Sequence, residues 1–172
     1  DVDLDYWSPS KFEKRKYVLI YRKFDNKDGD FERIASCCES LGIKYRVIEY
    51  GKYSKKGFRK NLKRSHFVIW LGTTESQGIA LLESWSTNTA TFVRVKNTYV
   101  DDETGNSFDS SSAPYLTDSC GEFFNIEEFN VAKLKQFLAL SKSLAPRKYV
   151  LDNYSKSRID RNINLLFKNL YS

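Results

Sequence analysis

Apolar and polar positions along the chain alternate between two periods. Residues 17–21 (YVLIY) form a short apolar run behind a charged stretch and predict a buried strand. From Asp30 the period lengthens: Phe31, Ile34, Ala35, Cys38 and Leu41 follow helical spacing, and Gly42 stands where a C-cap glycine belongs. Residues 44–50 (KYRVIEY) alternate as a strand does. Phe58 and Leu62 predict a short, very basic helix, and 67–71 (FVIWL) a second strongly buried strand. Residues 76–86 turn helical again, and 91–95 (TFVRV) read as a further strand.

Strands and helices therefore alternate, which predicts an α/β fold: a parallel sheet with helices on both faces. Residues 96–122 are rich in Asp, Ser, Thr and Asn and show no period, so they read as a long irregular loop. Asn130 caps a helix carrying Val131, Leu134, Phe137 and Leu138, and Pro146 is expected to stop it. Ser155 or Ser157 opens a last amphipathic helix with Ile159, Ile163, Leu166 and Leu170 on one stripe. Neither an internal repeat nor a low-complexity tract is visible.

Composition narrows the picture. The chain has 172 residues, enough for one domain, and 41% are hydrophobic, enough for a real core. No apolar run approaches the roughly 20 residues of a membrane span. The chain begins with Asp1 and holds no Met, so it is expected to be a processed product or an excised piece. A net charge of +6 favours anionic partners. Cys37 and Cys38 are adjacent, Cys120 stands alone and His66 is the only histidine, a pattern that predicts neither a disulfide framework nor a zinc site and fits a reducing, cytoplasmic compartment.

Ligands of open parallel sheets bind beyond the carboxyl ends of the strands. Residues 71–83 (LGTTESQGIALLE) lie at such a place. A strand ends at Leu71, Gly72 breaks it, and Thr74 and Gln77 have capping-box spacing before a helix. A helix start offers free N–H groups and the positive end of a dipole, and Gly78 permits close approach of a ligand. Glu75 and Glu83 are eight residues apart, about 12 Å along a helix axis. That is too far for a close acid–base pair, but suits a grip on two parts of one elongated ligand. Either carboxylate also has a plain reading, on the helix dipole or on a solvated face.

The segment from Thr74 through Glu75 and Glu83 to Ser86 resembles the Glu-x7-Glu segment of retaining glycosyltransferases with the two-domain GT-B fold. Residues 1–9 (DVDLDYWSP) are similar to that family's linker into its second domain, with Asp1 where a glycine is common. Tyr50-Gly51-Lys52-Tyr53 resembles the strand end and glycine loop near the nucleotide base. Ser111 to Phe124 resembles the loop that ends in a glycine and an apolar pair, and Arg147 to Ser155 the carboxyl-terminal segment. The resemblance runs over nearly the whole chain in the same order.

The resemblance implies a Rossmann-like domain, the donor-binding carboxyl-terminal half of such an enzyme. It implies residues 1–16 as inter-domain linker, 156–172 as C-terminal helix, and an amino-terminal acceptor domain absent from this chain. A nucleotide sugar would be the substrate, transferred with retention to a glycan, lipid or protein acceptor, with no cofactor or metal required. Glu75 would be the catalytic glutamate beside the donor sugar. Ser76, Gln77, Gly78 and Ile79 would turn backbone N–H groups to sugar or diphosphate, and Glu83 would accept from ribose hydroxyls. Arg22 and Lys27 would bind the diphosphate, with Lys23 able to take either role, because residues 21–29 (YRKFDNKDG) lack the family's usual Gly-Arg-Leu. Gly51 and Tyr53 would lie at the base. The fragment alone is expected to bind nucleotide but to transfer sugar slowly or not at all.

Seven cations lie between Lys52 and Arg64. They read as a solvated helix face, or as attraction for anionic donors or a peripheral membrane contact. A rival reading of the whole chain is a non-enzymatic module that sets this basic face on RNA or anionic lipid. No aromatic-interleaved RNA motif is present, so nucleic acid is not expected. His66, Trp70 and Trp85 read as structural, and Cys120 lacks the activating base a nucleophile needs.

Overall fold

A computed structural model of the chain describes residues 2–10, 13–23, 29–101 and 103–170. Its centre is a five-stranded parallel sheet of β1 (Tyr17–Arg22), β2 (Tyr45–Glu49), β3 (Ser65–Leu71), β4 (Thr91–Arg94) and β7 (Gly121–Phe124), ordered β2-β1-β3-β4-β7. An antiparallel pair, β5 (Thr98–Val100) and β6 (Ser107–Asp109), stands apart from it. The helices are α1 (Asp30–Ser40), α2 (Lys55–Lys63), α3 (Ile79–Ser86), α4 (Val131–Leu140), α5 (Pro146–Tyr154) and α6 (Lys156–Leu170).

The central strands β1, β3 and β4 are buried on both faces, because each face is covered. Val18 and Ile20, with Phe67 and Ile69, point to a core shared with Ile34 of α1 and Leu134 and Phe137 of α4. Leu19 and Tyr21, with Val68 and Trp70, point to the other core, built with Phe58 and Leu62 of α2, Trp85 of α3 and Val150 of α5. Phe92 stacks on Phe137 at 4.2 Å, and Tyr21 on Trp70 at 4.0 Å. Trp7, from the segment before the sheet, is buried in the second core against Phe58 at 5.9 Å.

Local chemistry explains several boundaries. Past the end of α1, Gly42 takes a φ of +63°, and the Ile43 amide donates to the Cys38 carbonyl at 2.9 Å. Ser54 and Asn130 cap α2 and α4 by accepting from the Gly57 and Lys133 amides.

Three expectations are corrected. Residues 96–122 are not structureless: they carry the β5–β6 hairpin and lead into β7. β7 is an edge strand with Glu122 and Phe123 exposed, so it lacks the apolar run that marks the central strands. Pro146 does not stop the preceding helix, which ends at Leu140; it opens α5 from the first helical turn, where its missing N–H costs nothing. The helix expected from residue 76 starts at Ile79, with Gly78 as its N-cap at φ +58° and no Thr74/Gln77 capping box.

Gly121 is required by contact. A Cβ there would stand 1.8 Å from the Thr91 carbonyl oxygen across the β4–β7 pair. The predicted core tryptophans, Trp70 and Trp85, are fully buried. Among the described residues no helix is long and apolar enough to cross a membrane.

Candidate functional site

The strand order reverses direction at β1: the chain passes from β1 outward to β2, then returns across β1 to β3. The carboxyl ends of β1 and β3 therefore splay apart, making the crevice at which doubly wound sheets hold ligands. A pocket of about 290 Å³ opens there. Tyr21 and Lys23 come from the end of β1, Tyr50 and Tyr53 from the β2–α2 turn, and residues 75–80 with Glu83 from the loop and helix after β3.

The loop 72–78 is held from three sides. Arg94 at the end of β4 is buried and paired with the buried carboxylate of Asp30, in the first turn of α1, and reaches the Gly72 carbonyl at 3.4 Å. The Glu75 amide donates to the Ser111 carbonyl at 2.9 Å, and Ser112 Oγ donates to the Arg94 carbonyl at 2.6 Å. The segment that read as an irregular loop thus clamps the end of β3. From β1, Lys23 Nζ donates to the Thr74 carbonyl at 2.9 Å.

That same ammonium lies 3.1 Å from Glu75 Oε2, so an ion pair bridges the crevice from β1 to β3. Both side chains are nearly covered, with 13% and 11% of their surface exposed. Burial pushes the Glu75 carboxyl above its ordinary range, and Lys23 opposes that rise. Glu83, one turn into α3, has Lys55 as its opposing cation, and burial raises its carboxyl to about 7. Opposite them Tyr21 Oη and Tyr53 Oη are 3.1 Å apart, and Tyr53 packs on Phe58 at 4.9 Å. The first amides of α3, at Ile79 and Ala80 in the pocket lining, lack intrahelical acceptors and form the positive end of its dipole.

Of the residues predicted from the sequence, Lys23, Tyr53, Glu75, Ser76, Gln77, Gly78, Ile79 and Glu83 line this one pocket. Arg22 and Gly51 do not. Arg22 lies 3.6 Å from Glu49 and over the Phe31 ring at 5.0 Å. Gly51, at φ +76°, shapes the turn after β2. Lys27 is outside the described residues. The spacing of about 12 Å between Glu75 and Glu83 assumed a helix throughout; residues 75–78 are loop, and both carboxyls reach one cavity instead. Tyr21 and Ala80 were missed, and Tyr50 was named only as part of the segment likened to the loop near the base. For Tyr21 the signal was present: a hydroxyl-bearing residue in the last turn of a central strand.

Among the described residues no three His, Cys, Asp or Glu side chains are grouped to hold a metal ion. The lysine and helix start suit an anion, and the two carboxyls, both raised by burial, suit hydroxyl groups. Cys120 is buried and its thiol is raised by that burial, so it stays protonated.

No protein-family model matches the sequence, and no curated protein matches it. Among solved structures, the C-terminal domain of a glycosyl transferase group 1 family protein from Francisella tularensis superposes with a TM-score of 0.57 and 12% sequence identity. The match covers 91% of this chain and 100% of that one. The two share an α/β fold in which helices flank a parallel sheet.

Proposed function

We propose that the chain is the donor-binding, C-terminal half of a retaining GT-B glycosyltransferase, with the pocket at the β1/β3 crevice as its nucleotide-sugar site. The observation that carries this reading is the convergence of Lys23, Glu75, Glu83 and the start of α3 on one cavity at the switch point. A non-enzymatic nucleic-acid module has no use for two half-buried carboxyls beside its cation.

In this reading Lys23 and the α3 amides hold the diphosphate and stabilise the charge that develops on it as the sugar departs. Glu83, poised near neutrality, accepts from ribose hydroxyls. Glu75, held by Lys23 and by its own amide, meets the sugar. Tyr50 and Tyr53 offer ring faces and a hydroxyl to the base. The cavity is small for a whole nucleotide sugar, so a second domain would cover the open side and carry the acceptor. The three free cysteines, two of them buried, support a reducing, cytoplasmic setting.

The test is Glu75→Gln in the full-length enzyme. A contact that holds the sugar in reacting geometry acts mainly in the transition state, so turnover collapses while nucleoside diphosphate affinity stays near the parent's. A carboxylate that only favours a helix dipole is worth about 0.3–1 kcal/mol of stability, and its loss would leave turnover nearly unchanged. Near-parent turnover removes Glu75 from the site.

A further inference from the structure

A second cavity, of about 910 Å³, lies at the other pole of the sheet, where the strands begin. Lys16 enters β1, Lys44 and Arg46 flank the start of β2, Arg64 and His66 flank the start of β3, and Lys142 follows α4. No carboxylate lines it. Two carboxylates contact lining residues from outside: Glu13, 3.7 Å from Arg64, and Glu39, which accepts from the Tyr45 hydroxyl at 3.1 Å.

Helix C-termini attract cations, and α1, α2 and α4 all end here. Three such ends carry about half a negative charge each. With those two carboxylates they neutralise less than the five lysines and arginines supply. The surplus sits on the strand side, on Lys16, Lys44 and Arg46, which belong to no helix end. Arg46 is also placed: its guanidinium lies 4.8 Å over the Tyr17 ring and donates to Asn61 Oδ1 at 3.3 Å, the oxygen that also accepts from Tyr17 Oη at 2.8 Å. His66 is held below its usual range by burial, then by Arg15 and Lys142, and of these cations Lys142 lines the cleft with it.

We infer that this cleft is a second anion site, which takes a compact ligand bearing several phosphate groups. It shares no lining residue with the pocket at the switch point, so it stands or falls independently of the donor-site reading. Arg46 and Arg64 provide forked donors, the lysines point charges, and His66 a ring nitrogen that gains a proton as the anion enters.

Because His66 is the only histidine, its imidazole resonances report this cleft without assignment. The probe is inositol hexakisphosphate, and the readout is local, because His66 lines this cleft and not the donor pocket. Saturating probe raises the His66 pKa by roughly half a unit or more. The charge reversals Lys44→Glu and Lys142→Glu, both at exposed positions, together weaken binding at least tenfold and leave the fold unchanged by circular dichroism. Arg46→Gln weakens it as well, and Glu83→Ala leaves it intact. Vesicles bearing phosphatidylinositol bisphosphate identify the source. Probe binding with vesicle retention assigns a lipid headgroup; probe binding without it assigns a soluble ligand. The inference is overturned if the His66 titration is unmoved, if sulfate at equal ionic strength moves it as far, or if the charge reversals leave the shift in place.

Discussion

Replacing Glu83 by Gln separates a functional carboxyl from a structural one. Burial lifts this carboxyl from an ordinary 4.5 to about 7, against the attraction of Lys55. Between those two pH values the folded chain holds a proton that the unfolded chain has released. Stability therefore falls as pH rises through that window, and the full penalty is present above it. A displacement of that size corresponds to at most about 3 kcal/mol, which solvent at the pocket mouth reduces to about 1–2 kcal/mol. Gln keeps the shape and loses the charge, so it removes the penalty. For a chain of 172 residues each kcal/mol moves the melting temperature by about 2–4 °C. The variant should melt about 2–8 °C above the parent at pH 8, and within about 1 °C of it at pH 5. It should also bind nucleoside diphosphate more weakly at pH 8. A gain in stability with a loss of binding marks a group kept for its ligand. Equal melting at both pH values would mean that the carboxyl is not desolvated. Lower melting of the variant at pH 8 would make Glu83 a structural ion and refute the reasoning.

Lys23→Ala leaves Glu75 buried without its cation; the Glu75 carboxyl should titrate higher by NMR, and calorimetry should show nucleoside diphosphate affinity down ten- to hundredfold, from about 1.5–3 kcal/mol for a lost charge-assisted hydrogen bond. Asp30→Ala withdraws one carboxylate from the buried Arg94 and should lower stability in urea unfolding by at least about 1 kcal/mol. Gly121→Ala sets a methyl against the Thr91 carbonyl and must part β4 from β7; a loss of at least about 1–3 kcal/mol is expected, and an unchanged melting curve would mean that the edge strand is not paired as described.

The central strands were legible because residues 17–21 and 67–71 are apolar on both faces, which only a doubly covered sheet demands. Two helix boundaries announced themselves through Asn130 and Gly42, whose chemistry is local. β7 was hidden because an edge strand with two exposed residues carries half a pattern. The first turn of α3 was misjudged because Thr74 and Gln77 have the right spacing for a capping box, whereas tertiary contacts with Lys23 and Ser111 hold that stretch as a loop. At the site, sequence order placed Glu75 and Glu83 after a strand, but their meeting in one cavity depends on the loop geometry. The choice between Arg22 and Lys23 was equally invisible. Alternation along β1 turns Lys23 toward Glu75 and leaves Arg22 to Glu49 and Phe31.

The central claim is that the crevice between β1 and β3 holds a nucleoside diphosphate with its ribose on Glu83. Isothermal calorimetry of the parent and of Glu83→Ala with UDP, GDP, ADP and inorganic pyrophosphate tests it directly. The account predicts micromolar-to-millimolar binding of at least one nucleoside diphosphate. It also predicts that Glu83→Ala weakens that ligand ten- to hundredfold while pyrophosphate is barely affected. No heat from any nucleotide at millimolar concentration, or equal losses for nucleotide and pyrophosphate, would contradict it.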